Sequence, residues 1–263
     1  MARISLASVT KRFETADSVV TALDDVSLAV QDREIVTLVG ASGCGKSTLL
    51  NLIAGFETPT AGQVLVDDHP VEGPGPDRGV VFQQTALFPW LSVEDNIAFG
   101  LSLRANRAKA DPQQVVEHLL QKTGLSAFRN RHPAELSGGM RQRAAIASVL
   151  TINPSTLLMD EPFGALDSLT RSIMQDFLLE IWEEQRKTIV LVTHDIDEAI
   201  YLADKTVVMT AHPGRIREVI EVNLQRPRRY DMRSESPYIA LRDHVTRIVR
   251  TEAIKDSGLS AVN

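Results

Sequence analysis

The chain has 263 residues, 43% of them hydrophobic and 24% charged, with a formal net charge of -6. A chain of this length buries roughly three quarters of its unfolded surface, so folding requires neither metal nor disulfide. Its single cysteine, Cys44, excludes an intrachain bridge or a cysteine-cluster metal site, and the acidic balance argues against a general nucleic-acid binder while leaving room for a local polyanion site.

The first residues, Met1-Ala2-Arg3-Ile4-Ser5, lack the apolar stretch and cleavage site of a signal peptide. No apolar run approaches the roughly 20 residues that span a bilayer. The expectation is a cytosolic chain, or one peripheral to the cytosolic face of a membrane. Residues 3–30 contain Val19-Val20 and Val26-Ser27-Leu28 with no long helix between them, which predicts a small antiparallel sheet. Short apolar runs at 34–39, 80–82, 156–159 and 189–192 each end in a polar or glycine residue before a helical pattern. Such runs read as parallel strands buried on both faces, hence a doubly wound α/β core.

The first run leads into Gly40-Ala41-Ser42-Gly43-Cys44-Gly45-Lys46-Ser47-Thr48, which fits the phosphate-loop pattern between a strand and a helix. Glycines let successive backbone N–H groups turn toward one anion, and the following helix adds its free N–H groups and positive dipole end. In this chemistry Lys46 bridges the β- and γ-phosphates of ATP, Ser47 ligates Mg²⁺, and Thr48 contacts the α-phosphate. Cys44, placed in this loop, is expected to be open to thiol blockers.

Residues 87–150 show almost no strand signal and read as a helical subdomain inserted into the core. Within it Asp111-Pro112 starts a helix, Asp as N-cap and Pro at the first position, with Val115, Val116, Leu119 and Leu120 facing inward and Gly124 ending it. Leu136-Ser137-Gly138-Gly139-Met140 then precedes the helical run 144–150. Serine and two glycines at a helix start make a second anion nest. One γ-phosphate does not need two nests from one chain; the second is explained if it closes over the ATP of another molecule.

Leu157-Leu158-Met159-Asp160-Glu161-Pro162 is an apolar strand ending in two carboxylates. Beside a phosphate loop, Asp160 holds Mg²⁺ through its water shell and Glu161 polarises the attacking water. From 168 to 182, Leu169, Ile173, Met174, Phe177, Leu178, Ile181 and Trp182 form one helical stripe. The tail from Leu224 carries Arg226, Pro227, Arg228 and Arg229, then a helix over 237–254. Its arginines either meet anionic lipid or a partner, or belong to a solvated linker and packing helix.

These motifs, in this order, resemble the nucleotide-binding subunits of ABC transporters over residues 3–222. The resemblance implies a P-loop NTPase fold: an α/β core with a mainly parallel sheet, a small antiparallel N-terminal β-subdomain and an inserted helical subdomain. It divides the chain into a nucleotide-binding domain at 1–222 (core 1–86 and 151–222, helical subdomain 87–150) and a partly helical extension at 223–263. It places Phe13 where an aromatic stacks on adenine, with core packing as the alternative. It makes Gln83 the glutamine that contacts Mg²⁺ and water and senses the permease. Gly164-Ala165-Leu166-Asp167 matches the D-loop at the dimer interface, and His194 matches the switch histidine that contacts the γ-phosphate. Met140 stands where the family's signature usually has glutamine, beside rather than among the phosphate-facing residues.

Glu72-Gly73-Pro74-Gly75-Pro76-Asp77-Arg78-Gly79, Leu87-Phe88-Pro89-Trp90 and His212-Pro213-Gly214-Arg215-Ile216 are similar to the ATPases of bacterial nitrate, sulfonate and taurine importers. The implied partners are an identical or paralogous cassette, permease subunits docking near Gln83–Trp90, and a periplasmic or lipid-anchored substrate-binding protein acting through the permease; no nucleic acid is implied. Phe88 and Trp90 are either part of that docking stretch or ordinary core aromatics. An exporter ATPase shares every catalytic motif and stays open as an alternative. A soluble ABC-type ATPase would usually carry two cassettes or a long coiled-coil insertion, and a non-hydrolysing regulator is disfavoured by Glu161 and His194.

Overall fold

The computed structural model describes residues 2–14, 18–103 and 111–257. Met1, residues 15–17, residues 104–110 of the helical stretch and residues 258–263 of the tail lie outside the described residues. Two sheets organise the rest. The larger has six strands in the order β10-β9-β3-β8-β7-β6: β3 (Ile35–Val39), β6 (Arg78–Val81), β7 (Thr156–Asp160), β8 (Thr188–Val192), β9 (Lys205–Met209) and β10 (Ile216–Glu221). Five of them are parallel neighbours, and only β10 runs antiparallel, against β9.

β3 and β8 are buried at every position, the pattern of strands covered on both faces. Their alternate residues feed two different cores. Ile35, Val39, Ile189 and Leu191 pack with the helices on one side, while Val36, Leu38, Val190 and Val192 pack on the other. The second face is covered by α1 (Lys46–Ala54), whose Leu49, Leu50, Leu52 and Ile53 are all buried. Over α1 lies the smaller sheet, β2-β1-β4-β5, antiparallel throughout: β1 (Ile4–Glu14), β2 (Val19–Val30), β4 (Ala61–Val66) and β5 (His69–Pro70). The helix is thus held between two sheets, and the loop at its start is fixed from both.

The first face carries α5 (Ser168–Gln185), α6 (Ile196–Leu202), α7 (Ser236–Ser257) and the inserted α2 (Val93–Ser102), α3 (Pro112–Lys122) and α4 (Gly138–Leu150). α3 starts and stops as its sequence predicts: Asp111 accepts from Gln113 N, Pro112 fills the first position, and Gly124 turns out of the helix at φ +65°. Val116, Leu119 and Leu120 are buried and Val115 is half-buried. Among the described residues no helix is long and apolar enough to cross a membrane.

One expectation needs correction, and two open alternatives are narrowed. The apolar stripe of α5 breaks at its first turn: Leu169 is 71% exposed and Ile173 56%, whereas Met174 through Trp182 supply the buried face. Trp90 is 70% exposed and no core residue. The tail arginines are not all free for lipid. Arg226 pairs with Asp204 at 2.8 Å and lies 4.0 Å from the Trp182 ring centroid; Arg228 is buried and donates to Ala203 O.

Candidate active site

β3, β6, β7 and β8 are parallel, so the segments leaving their carboxyl ends emerge on one edge of the sheet, where α/β folds bind their ligands. Gly40 follows β3, Gln83 follows β6, Glu161 follows β7, and His194 follows β8. Together they border a cavity of about 540 Å³ lined also by Ala22, Ser42, Gly43, Gly45, Lys46, Ser47 and Thr48. Residues separated by more than a hundred positions in sequence meet there because four strand ends do.

The phosphate loop is built without any side-chain cap. Gly45 precedes α1 at φ +88° and the first turn receives no side-chain hydrogen bond, leaving its N–H groups free for an anion. A Cβ at Gly45 would lie 2.6 Å from Leu23 Cδ2 and 2.8 Å from Ala22 O, so only glycine lets β2 press against the loop. Lys46 Nζ sits inside the loop, donating to Gly40 O and Ala41 O, each at 2.9 Å. Cys44 is fully buried, with its Sγ 3.5 Å from the same ammonium. The expected openness of this thiol to blocking reagents is therefore corrected: its backbone belongs to the loop while its side chain fills the core.

Across the cavity, Glu161 closes β7 at φ +45°, a region that costs an ordinary side chain of order 1 kcal/mol or more. Its N–H donates to Val192 O at 2.9 Å, which pins the strained residue to the end of β8. One carboxylate oxygen, Oε2, accepts from Gln83 Nε2 at 3.1 Å and lies 3.2 Å from His194 Nδ1. Asp160 meets the phosphate loop instead: Ser47 Oγ donates to its Oδ1 at 3.1 Å. Burial raises the Asp160 carboxyl above its usual range, the Ser47 hydroxyl and the Lys46 charge oppose this, and Glu161 adds to it. A hydroxyl beside a half-buried carboxylate without full charge compensation is a hard-oxygen pair suited to Mg²⁺. Among the described residues no cluster of three or more His, Cys, Asp or Glu forms.

The remaining sequence candidates lie elsewhere. Ser137, Gly138, Gly139 and Asp167 do not line the cavity. Ser137 caps α4 by accepting from Met140 N at 3.3 Å, and Asp167 caps α5 by accepting from Thr170 N at 3.0 Å. The two helix starts adjoin, since a Cβ on Gly139 would lie 2.6 Å from Thr170 Cγ2. Ser137, Gly138 and Asp167 are exposed. Phe13 sits on the β1–β2 hairpin opposite Val20, 36% exposed, with Lys11 Nζ 4.8 Å from its ring centroid.

Sequence reasoning passed over Ala22, Asp195 and Glu198. Asp195 follows His194 and caps α6, accepting from Glu198 N at 3.0 Å, while its other oxygen accepts from Arg171 at 2.9 Å. The D-x-x-E spacing at 195–198 is a helix-start signature that would have found the pair.

The sequence profile for ABC transporters matches residues 23–164, more than half of the chain. The chain belongs to the ABC transporter family. This ABC subunit is 47% identical to the nitrate import ATP-binding protein of Synechococcus elongatus over 94% of its own length and 88% of the relative's. It is also 47% identical to the taurine import ATP-binding protein of Roseobacter denitrificans, over 83% and 81% of the two chains. Among solved structures, a dimeric post-hydrolysis state of an ATP-binding cassette bound to ADP and Pi superposes with a TM-score of 0.74 at 32% identity, covering 84% of this chain and all of that one. The P-loop NTPase fold, with its mainly parallel sheet and small antiparallel sheet, is that of ABC cassettes. The ABC subunit binds ATP and is a transporter ATPase.

Proposed function

We propose that this ATPase drives import of nitrate, sulfonate, taurine or a related small solute, as a peripheral subunit on the cytoplasmic face of the membrane. The import direction and solute class follow the two relatives named for nitrate and taurine import. The carrying observation is the split of anion-binding features: one cavity holds the phosphate loop, Gln83, Glu161 and His194, while the Ser137–Gly139 nest and Asp167 lie outside it. Two cassettes, identical or paralogous, arranged head to tail complete each site, with one chain's nest closing over the ATP on its partner's loop. The likeness to a dimeric cassette supports this pairing.

In that site the loop N–H groups of Gly40 to Thr48 cradle the triphosphate, Lys46 moves from its own carbonyls onto the β- and γ-phosphates, and Phe13 stacks on adenine. Glu161 orients and polarises the attacking water. Gln83 and His194, both on Glu161 Oε2, fix that carboxylate, and His194 contacts the γ-phosphate. Ser47, Gln83 and, through water, Asp160 would hold Mg²⁺, which would neutralise negative charge on the phosphates. Closure is favoured because the γ-phosphate makes contacts only in the closed pair; its loss on hydrolysis reopens the pair.

The cassette comprises residues 1–222 (core 1–86 and 151–222, helical subdomain 87–150), followed by the extension at 223–263. Permease subunits dock near Gln83–Trp90, beside a groove of about 640 Å³ lined by Phe56, Phe82, Phe88 and Phe99. Trp90 reaches it through Phe88, their rings 5.5 Å apart. A periplasmic or lipid-anchored binding protein selects the solute and acts through the permease. The test is ATP turnover of the chain purified with its membrane partner. Glu161→Gln is expected to slow turnover at least 100-fold while ATP still binds; normal turnover in that variant refutes the assignment. Co-purification with exporter components and no binding protein refutes import.

A further inference from the structure

The described residues of the C-terminal extension contribute nothing to the cavity lining, yet they grip the helix that starts behind His194. After Thr193 and His194, Asp195 caps α6, and Glu198 in its first turn is 3% exposed. Glu198 Oε2 accepts from Gln175 Nε2 at 3.0 Å, and Gln175, on α5, is 2% exposed. The other end of that amide, Oε1, accepts from Arg233 at 2.6 Å. Arg233 belongs to the extension and lies 4.2 Å from the ring centroid of Tyr201 and 5.1 Å from that of Tyr230. A second tie runs beside the first: buried Tyr238 of α7 donates to Asp197 O at 2.8 Å.

We infer that Arg233 is a positioning residue for hydrolysis, acting through Gln175 and Glu198 on the Thr193–Asp195 turn that presents His194. The inference rests on the reading of His194 given above. Its physics lies in the amide. A guanidinium only donates, so Arg233 requires Gln175 to show it the carbonyl oxygen and to turn its NH₂ toward Glu198. Without Arg233 the amide is free to flip, putting oxygen against the buried carboxylate. Glu198 and the Thr193 hydroxyl next to it then lose a fixed arrangement, and Asp195 N donates to that same hydroxyl at 3.0 Å. Burial pushes the Glu198 carboxyl up to about 7, with Thr193 and Gln175 offsetting part of the rise; a group so poised depends on its few donors.

The experiment compares steady-state ATP hydrolysis of the full chain with its membrane partner in Arg233→Met, Arg233→Lys, Gln175→Met and His194→Ala, each checked for folding by thermal melt. Arg233→Met is expected to lower kcat about tenfold with KM for ATP changed less than about twofold. Arg233→Lys keeps a donor and should recover most of the loss. Gln175→Met should match Arg233→Met, and combining the two should add nothing, because both cut one chain of contacts. Unchanged kcat in a folded Arg233→Met overturns the inference, as does an additive double variant or a parallel fall in kcat and folded fraction. If Arg233→Met does not fold, Gln175→Met decides by the same kcat and KM criterion. Full turnover in His194→Ala overturns the underlying reading; loss there with none in the Arg233 and Gln175 variants overturns this inference alone.

Discussion

At the scale of single residues, the molecule places its costs beside the chemistry. Glu161 holds a left-handed backbone with Gln83 and His194 on its carboxylate, and Glu198 is a buried acid one helical turn away from His194 in sequence. Glu198 faces Gln175 from α5, Thr193 and Asp195 from the turn, and Arg171 at a distance. Its carboxyl is raised by burial to about 7 from an ordinary 4.5. Between these values the folded chain keeps a proton that the unfolded chain has released. Stability from this group therefore falls as pH rises from about 4.5 to about 7 and then stays level. Glu198→Gln removes that slope and keeps an amide oxygen to accept from Gln175. The stability difference, variant minus wild type, should shift in favour of glutamine by on the order of 3 kcal/mol between pH 4.5 and pH 8. Denaturant midpoints at the two pH values read this directly, and an equal difference at both shows that Glu198 is not the titrating group.

At the scale of elements, the phosphate loop shows why some of the fold was legible and some was not. A strand of five buried residues, a glycine-rich turn and a helix whose first turn has no cap follow from local rules, and β3, β7, β8 and the start of α3 appear where composition put them. β4, β5, β9 and β10 were passed over. β4 and β10 are mostly exposed or half-buried, so they carry no continuous apolar run, and their pairing is set by partners distant in sequence. β9 is buried at all but its first position, and its Val207-Val208-Met209 run carries the same signal as the 189–192 run but was not read. The failed first turn of α5 has the same origin: Leu169 and Ile173 fit the periodicity, but no described element covers them. In the site, the spacing around Lys46 and the acidic pair were readable, whereas the meeting of Gln83, Glu161 and His194 on one oxygen required the strand order. Gly45 is the element's weak point. At φ +88°, with Leu23 and Ala22 against it, Gly45→Ala should shift β2 or the loop and weaken ATP binding by about tenfold or more. Equilibrium nucleotide binding measures this, and wild-type affinity would show that the loop tolerates a Cβ.

At the scale of the whole molecule, the Ser137–Gly139 nest lies outside the cavity that holds the phosphate loop, and the proposed reading calls for a second cassette. On that reading an isolated chain would offer Lys46 to one nucleotide and the Ser137–Gly139 start of α4 to another. A head-to-tail pair is the two-fold arrangement in which both features serve each site. This geometry makes a specific demand on mixtures. Lys46→Ala disables the loop half of a site and Ser137→Arg the nest half. The second substitution also removes the cap on Met140 N, at a cost of about 1 kcal/mol, too small to unfold a domain with this core. Homodimers of either variant have two defective sites. In a heterodimer one site collects both defects and the other is intact. Random reassociation at equal amounts makes half the dimers mixed, so up to about a quarter of wild-type turnover should return if sites act independently, and less if they cooperate. Hydrolysis assays on each variant alone and on the reassociated mixture carry the comparison. Recovery from inactive parents establishes a shared site, because no chain in the mixture holds both halves. A mixture as inactive as its parents counts against a shared site when the heterodimers, once demonstrated, also fail to trap one nucleotide per pair.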